Sequence, residues 1–173
     1  MQIAIGPATV EDAREILDLQ VLAYRSEAAI YDDYTIAPLT QTAAEMEADF
    51  GRYVILKATA DGKIVGSVRA YLREGTCYIG RLIVHPDIQN QGLGTRLMHA
   101  IEAVFEEATR FELFTGHKSE RNLYLYQKLG YVSFRQQFVS ESLQMVFLEK
   151  PGVATPTAIS SPLPRMPSNR IPN

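Results

Sequence analysis

The chain has 173 residues, enough for one domain with its own core and too few, at ordinary domain sizes, for a second full one. Hydrophobic residues make up 46% and charged residues 21%, the balance of a soluble globular protein. A formal net charge of −3 argues against a nucleic-acid binder that works by broad phosphate neutralisation. The charge is unevenly spread. Residues 1–50 hold ten acidic and two basic side chains, whereas residues 51–150 hold ten acidic and thirteen basic ones. A single cysteine, Cys77, excludes an intrachain disulfide framework and a cysteine-based metal site, and fits a reducing compartment. His85, His99 and His117 are too scattered to suggest zinc, so no metal is expected. No apolar run approaches the ~18–20 residues of a membrane span. Met1–Gly6 lacks the basic and long apolar stretches of a signal peptide. The sequence therefore reads as a cytoplasmic protein that engages neither membrane nor nucleic acid.

Gln2–Gly6 reads as a short strand. Thr9 and Asp12 have capping-box spacing, and Ala13, Ile16, Leu17, Val21 and Tyr24 share one helical face. Residues 25–39 mix charge, tyrosine and Pro38 and read as a loop or broken helix, and Gln41–Phe50 reads as a second helix. Tyr53–Ala60 and Ile64–Arg73 are strand-like and flank Asp61-Gly62, a hairpin signal. Glu74-Gly75 marks the next turn, and Thr76–Val84 completes a meander. Thr95–Ala108 is predicted helical with Leu97, Met98, Ile101, Val104 and Phe105 on one face. Arg110–Thr115 is a strand, and Ser119–Leu129 a helix closed by Gly130. Tyr131–Phe138 and Leu143–Glu149 finish as strands. The order β-α-α-β-β-β-α-β-α-β-β, with its central meander, predicts an α+β fold: a mixed, mainly antiparallel twisted sheet flanked by helices. Residues 1–149 form this domain. Residues 150–173 hold six of the nine prolines, no acid and no aromatic, and read as a flexible C-terminal tail.

The chemistry is concentrated in two segments. In the first, an apolar strand ends at Leu82-Ile83-Val84, a polar loop follows, and a helix opens around Gly94. Gly92 and Gly94 let the backbone approach a ligand closely. Free N–H groups at the helix start, with the positive end of the helix dipole, make an anion site, and the expected ligand is a phosphate group. Neither Gly-Lys-Ser/Thr nor Gly-x-Gly-x-x-Gly is present. The second segment is Ser119-Glu120-Arg121-Asn122-Leu123-Tyr124-Leu125-Tyr126-Gln127-Lys128-Leu129-Gly130-Tyr131.

Together the two segments resemble the GNAT superfamily of acyl-CoA-dependent N-acetyltransferases. Gln89-Asn90-Gln91-Gly92-Leu93-Gly94 matches that family's Arg/Gln-x-x-Gly-x-Gly/Ala pyrophosphate loop. Leu125-Tyr126-Gln127-Lys128-Leu129-Gly130-Tyr131 matches its Leu-Tyr-x-Lys-Leu-Gly-Phe/Tyr segment. The resemblance covers residues 1–149 and implies acetyl-CoA as co-substrate, no metal, and direct attack of an amine on the thioester in a ternary complex. By position it implies that the backbone of Leu82, Ile83 and Val84 pairs with the pantetheine arm as if it were another strand, with a bulge splaying this strand from its neighbour. The loop of Gln89, Asn90, Gln91, Gly92, Leu93, Gly94 and Thr95 would hold the pyrophosphate, its amides from Asn90 to Thr95 making the contacts. Asn122 would contact the cofactor, although Ser119, read as a helix N-cap, stands where other members carry a cofactor-binding Asn.

Tyr126 stands where the family places a tyrosine that protonates the departing CoA thiolate, and a phenol of ordinary pKa (~10) is protonated at neutral pH. The base departs from better-defined relatives, because the positions that carry it there hold Tyr78, Gly80 and Phe114 here. Three routes stay open: relay of the proton by water, arrival of the amine partly deprotonated, or a carboxylate among Glu27, Asp32 and Asp33, with Glu27 the best placed. The 25–39 segment would wall the acceptor, making Tyr31, Asp32, Asp33 and Tyr34 the expected substrate-binding residues. Its acidic surplus favours a small cationic amine. Acetylation of a protein N-terminus or lysine, or CoA binding without catalysis, are the alternatives. Relatives often form homodimers, and nothing in the sequence fixes an interface.

Overall fold

The structure is a computed structural model that describes residues 1–152; most of the expected tail, 153–173, lies outside the described residues. Seven strands form one sheet: β1 (Ile3–Pro7), β2 (Val54–Ala60), β3 (Lys63–Arg73), β4 (Thr76–Val84), β5 (Arg110–Gly116), β6 (Val132–Phe138) and β7 (Gln144–Pro151). Their spatial order is β1-β2-β3-β4-β5-β7-β6. Every neighbouring pair is antiparallel except β4 and β5, which run parallel. The helices are α1 (Ala13–Tyr31), α2 (Ala37–Thr40), α3 (Ala43–Asp49), α4 (Leu93–Val104) and α5 (Glu120–Lys128). The mixed α+β architecture matches the one expected from the sequence, with the single-turn α2 as an additional element.

The sheet separates two apolar clusters. On one face α1 and α3 bury Ile16, Leu17, Leu19 and Met46 against Ile55, Ile64 and Ile83. On the other, α4 contributes Leu93, Leu97, Met98 and Ile101 and α5 contributes Tyr126, packed on Val68, Cys77, Leu113 and Leu148. Completely burying such side chains contributes roughly 1.5–3 kcal/mol each. Gln20, buried on α1, donates to Pro38 O (3.0 Å) and Gln41 Oε1 (2.9 Å), which fixes the α2 turn beside α1.

Three boundaries differ most from the sequence reading. α4 starts at Leu93 and ends at Val104 rather than Ala108, and Val104 is exposed instead of lying on the buried face, because the chain turns at Phe105. α1 does not give way to a loop after Tyr24 but continues to Tyr31, because Ala28 and Tyr31 extend its buried face. It stops where Asp32 turns left-handed (φ 49) and Asp33 N–H donates back to Ala28 O (3.0 Å). β7 runs past Glu149 to Pro151. Its end is held by pairing with Arg110, by Gly152 N–H on Thr109 O (2.9 Å) and by Lys150 Nζ on both oxygens of Glu102 (2.8 Å).

Candidate active site

β4 and β5 pair only at Thr76–Arg110, Cys77–Phe111 and Tyr78–Glu112, and then part. The parting begins beside a bulge. Opposite the register shift between Ser67 and Arg69 of β3, Arg81 takes a left-handed conformation (φ 50). A bulge of this kind adds a residue to one strand and increases its local twist. It re-sorts the side chains, so that Cys77 and Ile79 face the α4 side whereas Ile83 faces α1. From Ile79 to Val84 the β5-facing edge of β4 has no strand beside it, and an extended ligand carrying amide groups could pair there. Leu82, Ile83 and Val84 lie on this stretch.

The loop after β4 makes one 3-10 turn at Pro86–Ile88 and enters α4 through Asn90 (φ 62) and Gly92 (φ 81), both left-handed. The first helical bond is donated by Arg96 to Gly92 O (3.1 Å). The amides of Asn90, Gln91, Gly92, Leu93, Gly94 and Thr95 donate to no backbone carbonyl among the described residues. Six consecutive free N–H groups at the positive end of a twelve-residue helix form a cradle for a phosphate-type anion. Gln89 braces the loop: its Nε2 donates to Val84 O (3.2 Å), and its Oε1 accepts from Arg121 of α5. The parted edge and the adjoining anion cradle suit a long ligand with an amide-bearing arm and a phosphate-bearing end.

α5 carries Tyr126 and Asn122. Tyr126 is buried, its hydroxyl makes no hydrogen bond to the described residues, and burial pushes its pKa well above the ordinary tyrosine value. Tyr24 and Glu27 of α1 are close enough to push it further. Tyr124, on the same helix, is exposed. Asn122 Nδ2 donates to Thr115 Oγ1 (3.2 Å) at the end of β5.

Glu27, half-buried, accepts a hydrogen bond from Ser119 Oγ at 2.5 Å. Ser119 occupies the N-cap position of α5, as expected, but its hydroxyl does not cap the helix and is turned to Glu27 and Tyr31 instead. Tyr31 is buried rather than presented as an aromatic face, with its hydroxyl 2.9 Å from both Ser119 Oγ and Lys118 N. Asp33 accepts from Thr35 in a local turn, Asp32 ends α1, and Tyr34 is exposed. Glu27 thus meets, through Ser119, the start of α5, the helix that carries Tyr126, while Asp32 and Asp33 close local turns at the end of α1 and Tyr34 is exposed.

Other candidates are occupied. His117 Nδ1 accepts from Gln144 N (3.0 Å) and His85 Nδ1 from Asp87 N (3.2 Å). Cys77 is fully buried, and desolvation pushes its thiol to about 12. Among the described residues no group of three His, Cys, Asp or Glu is arranged to hold a metal, and no helix is long and apolar enough to cross a membrane. One residue escaped the sequence reading. Arg81 lies under the Tyr24 ring (5.9 Å), and its Nη1 is buried with no hydrogen-bond partner among the described residues. It borders a cavity of about 10 Å³ shared with Gln20, Ser67 and Arg69, room for one water. Gly80 in the middle of an apolar strand was the available signal for its bulge.

Of the ten acids in residues 1–50, Asp12, Asp18 and Asp49 are neutralised by Lys57, Arg14 and Arg69. Glu15, Glu27, Asp33 and Glu45 accept hydrogen bonds from neutral donors instead of pairing with a basic side chain among the described residues.

The family model described as the acetyltransferase (GNAT) family matches residues 13–131. Among curated proteins, the chain is 29% identical over 119 residues to UPF0157 protein YqkA of Bacillus subtilis (strain 168). That match takes in 69% of this chain but only 34% of YqkA, so the chain spans about a third of that protein. Among solved structures, the ribosomal-protein-S18-alanine N-acetyltransferase of Escherichia coli superposes with a TM-score of 0.74 at 16% identity, covering 90% of this chain and 98% of the other. The PaiA N-acetyltransferase of Thermoplasma acidophilum, solved in complex with coenzyme A, gives 0.65 at 16% identity, covering 87% and 99%. At these identities the two structures establish a shared fold.

Proposed function

The chain belongs to the GNAT acetyltransferase family, and from that premise we propose that it transfers the acetyl group of acetyl-CoA to a primary amine on a small, positively charged molecule, by direct attack in a ternary complex. The observation that carries this reading is the open edge of β4 leading into six free amides at the start of α4, in a chain whose residues 13–131 match the family. Acetyl-CoA, when bound, supplies an acyl carbon activated as a thioester.

The residues divide the remaining work. The open edge at Leu82, Ile83 and Val84 pairs with the pantetheine amides, and amides near Val84 polarise the acyl oxygen. The amides from Asn90 to Thr95 hold the pyrophosphate, and Asn122 steadies the cofactor from α5. Glu27 takes the proton that the amine loses as its nitrogen bonds to carbon. Tyr126 gives its proton to the sulfur as the carbon–sulfur bond breaks. Burial keeps the Tyr126 phenol protonated through neutral pH, the form a proton donor needs. The charge left on the acids near α1 supports a cationic acceptor.

A thiol-release screen with acetyl-CoA against amines and peptides tests this. Release with small polyamine-like or aminoglycoside-like amines is expected. Release with peptides alone would move the acceptor to a protein, and tight CoA binding with no acceptor at all would leave a binding module.

A further inference from the structure

We infer that Ser119 and Tyr31 are positioning residues for Glu27, holding its carboxylate in place and aimed for the acceptor's proton; this rests on the base role proposed for Glu27. The direction of the hydrogen bonds follows from the chemistry of the groups. Lys118 N–H can only donate, so the Tyr31 oxygen accepts from it at 2.9 Å. An ionised carboxylate only accepts, so the Ser119 hydroxyl proton goes to Glu27 Oε2 at 2.5 Å. The remaining contact, 2.9 Å between Tyr31 and Ser119, must then run from Tyr31 O–H to the Ser119 lone pair. The result is a one-way chain from the Lys118 amide through Tyr31 and Ser119 to Glu27. Glu27 Oε1 makes no hydrogen bond to the described residues and stays available.

Two features argue that the chain serves the carboxylate rather than the fold. A serine at an N-cap position stabilises a helix by about 1 kcal/mol when it caps, yet Ser119 gives its only proton to Glu27. Both intermediate groups are buried, so water does not compete for them. The chain also joins α1 to the start of α5, the helices that carry Glu27 and Tyr126. The ionisable groups facing this network are Tyr24 on α1, Tyr126 on α5 and His117, whose ring lies 5.8 Å from that of Tyr31. Beyond Tyr24 stand Arg81 of β4 and Arg69 of β3.

The test is the pH dependence of kcat and kcat/KM for the full chain with acetyl-CoA and an amine found by thiol release, comparing Glu27→Gln, Ser119→Ala and Tyr31→Phe. A donated hydrogen bond favours the charged carboxylate. Ser119→Ala should therefore lower kcat about tenfold, the value of one hydrogen bond to a charged group, and move the acidic limb to higher pH. The KM for acetyl-CoA should be unchanged. Tyr31→Phe, which removes only the hydroxyl, should move the limb the same way by less. Glu27→Gln should lower kcat by about 10²-fold or more and remove that limb. If Glu27→Gln has this effect while Ser119→Ala and Tyr31→Phe leave the limb in place, the positioning role is overturned and the base stands. If Glu27→Gln is as active as the parent, the base reading itself fails.

Discussion

A β-carbon on Gly116 would stand 2.0 Å from the Tyr31 hydroxyl oxygen. The last turn of α1 therefore seats against the end of β5 only because that residue has no side chain. Gly116→Ala should expel Tyr31 and lower the free energy of unfolding by about 1–3 kcal/mol, the usual cost of overpacking. Gly6→Ala, where a β-carbon meets nothing within 4 Å, should leave it unchanged or slightly higher. Urea unfolding of the two variants checks this, and equal effects would refute it.

Tyr126→Phe removes the proposed proton donor while keeping the buried ring. We expect kcat to fall by about 10²–10⁴-fold, with acetyl-CoA binding by calorimetry close to that of the parent. Unchanged turnover would remove Tyr126 from the chemistry.

Gly92 begins α4 at φ 81, a conformation that costs an L-residue roughly 1–2 kcal/mol. Gly92→Ala should lose about that much stability and also bind CoA more weakly, because the free amides are re-aimed. At Gly94 an added β-carbon meets Leu125 at 3.4 Å and Leu82 at 4.0 Å, both ordinary contacts. Gly94→Ala should fold normally and lose affinity only through closer approach to the anion. Thermal shift with and without CoA separates the two effects.

The buried Cys77, Tyr126 and Tyr131 all hold their protons more tightly folded than free, chiefly through desolvation. A raised folded-state pKa contributes stability that is complete below the unfolded value and lost as pH rises towards the folded one. For Cys77 that window runs from 9.0 to about 12. The unfolding midpoint should fall steadily across it, and Cys77→Ala should flatten the fall. A midpoint independent of pH between 9 and 12 would contradict the burial of these groups.

If the charge around α1 attracts the acceptor, the KM for a cationic amine should rise with ionic strength, since exposed charges are screened beyond about 8 Å at physiological salt. The KM for acetyl-CoA provides a comparison, and an acceptor KM insensitive to salt would refute the attraction.

The strands were legible because period-two alternation and Asp61-Gly62 punctuate them locally, and the two glycine-bearing segments carried the family. The end of α1 was obscured by acids and tyrosines, although the spacing from Leu17 through Tyr24 to Ala28 and Tyr31 already continued one face. The partner of the Ser119 hydroxyl was hidden for a deeper reason. At the start of a helix a serine reads as a local cap, and nothing nearby in the chain reveals a carboxylate 92 positions away. The parting of β4 from β5 was expected from the family resemblance alone, because no local pattern shows which strands become neighbours.

That parting divides the molecule into two hydrogen-bonded rafts, β1 to β4 and β5 to β7, fastened to each other along the sheet by three residue pairs. A ligand that fills the opening would rivet them together. Amides on both banks of the opening should then exchange with deuterium much more slowly in the presence of acetyl-CoA.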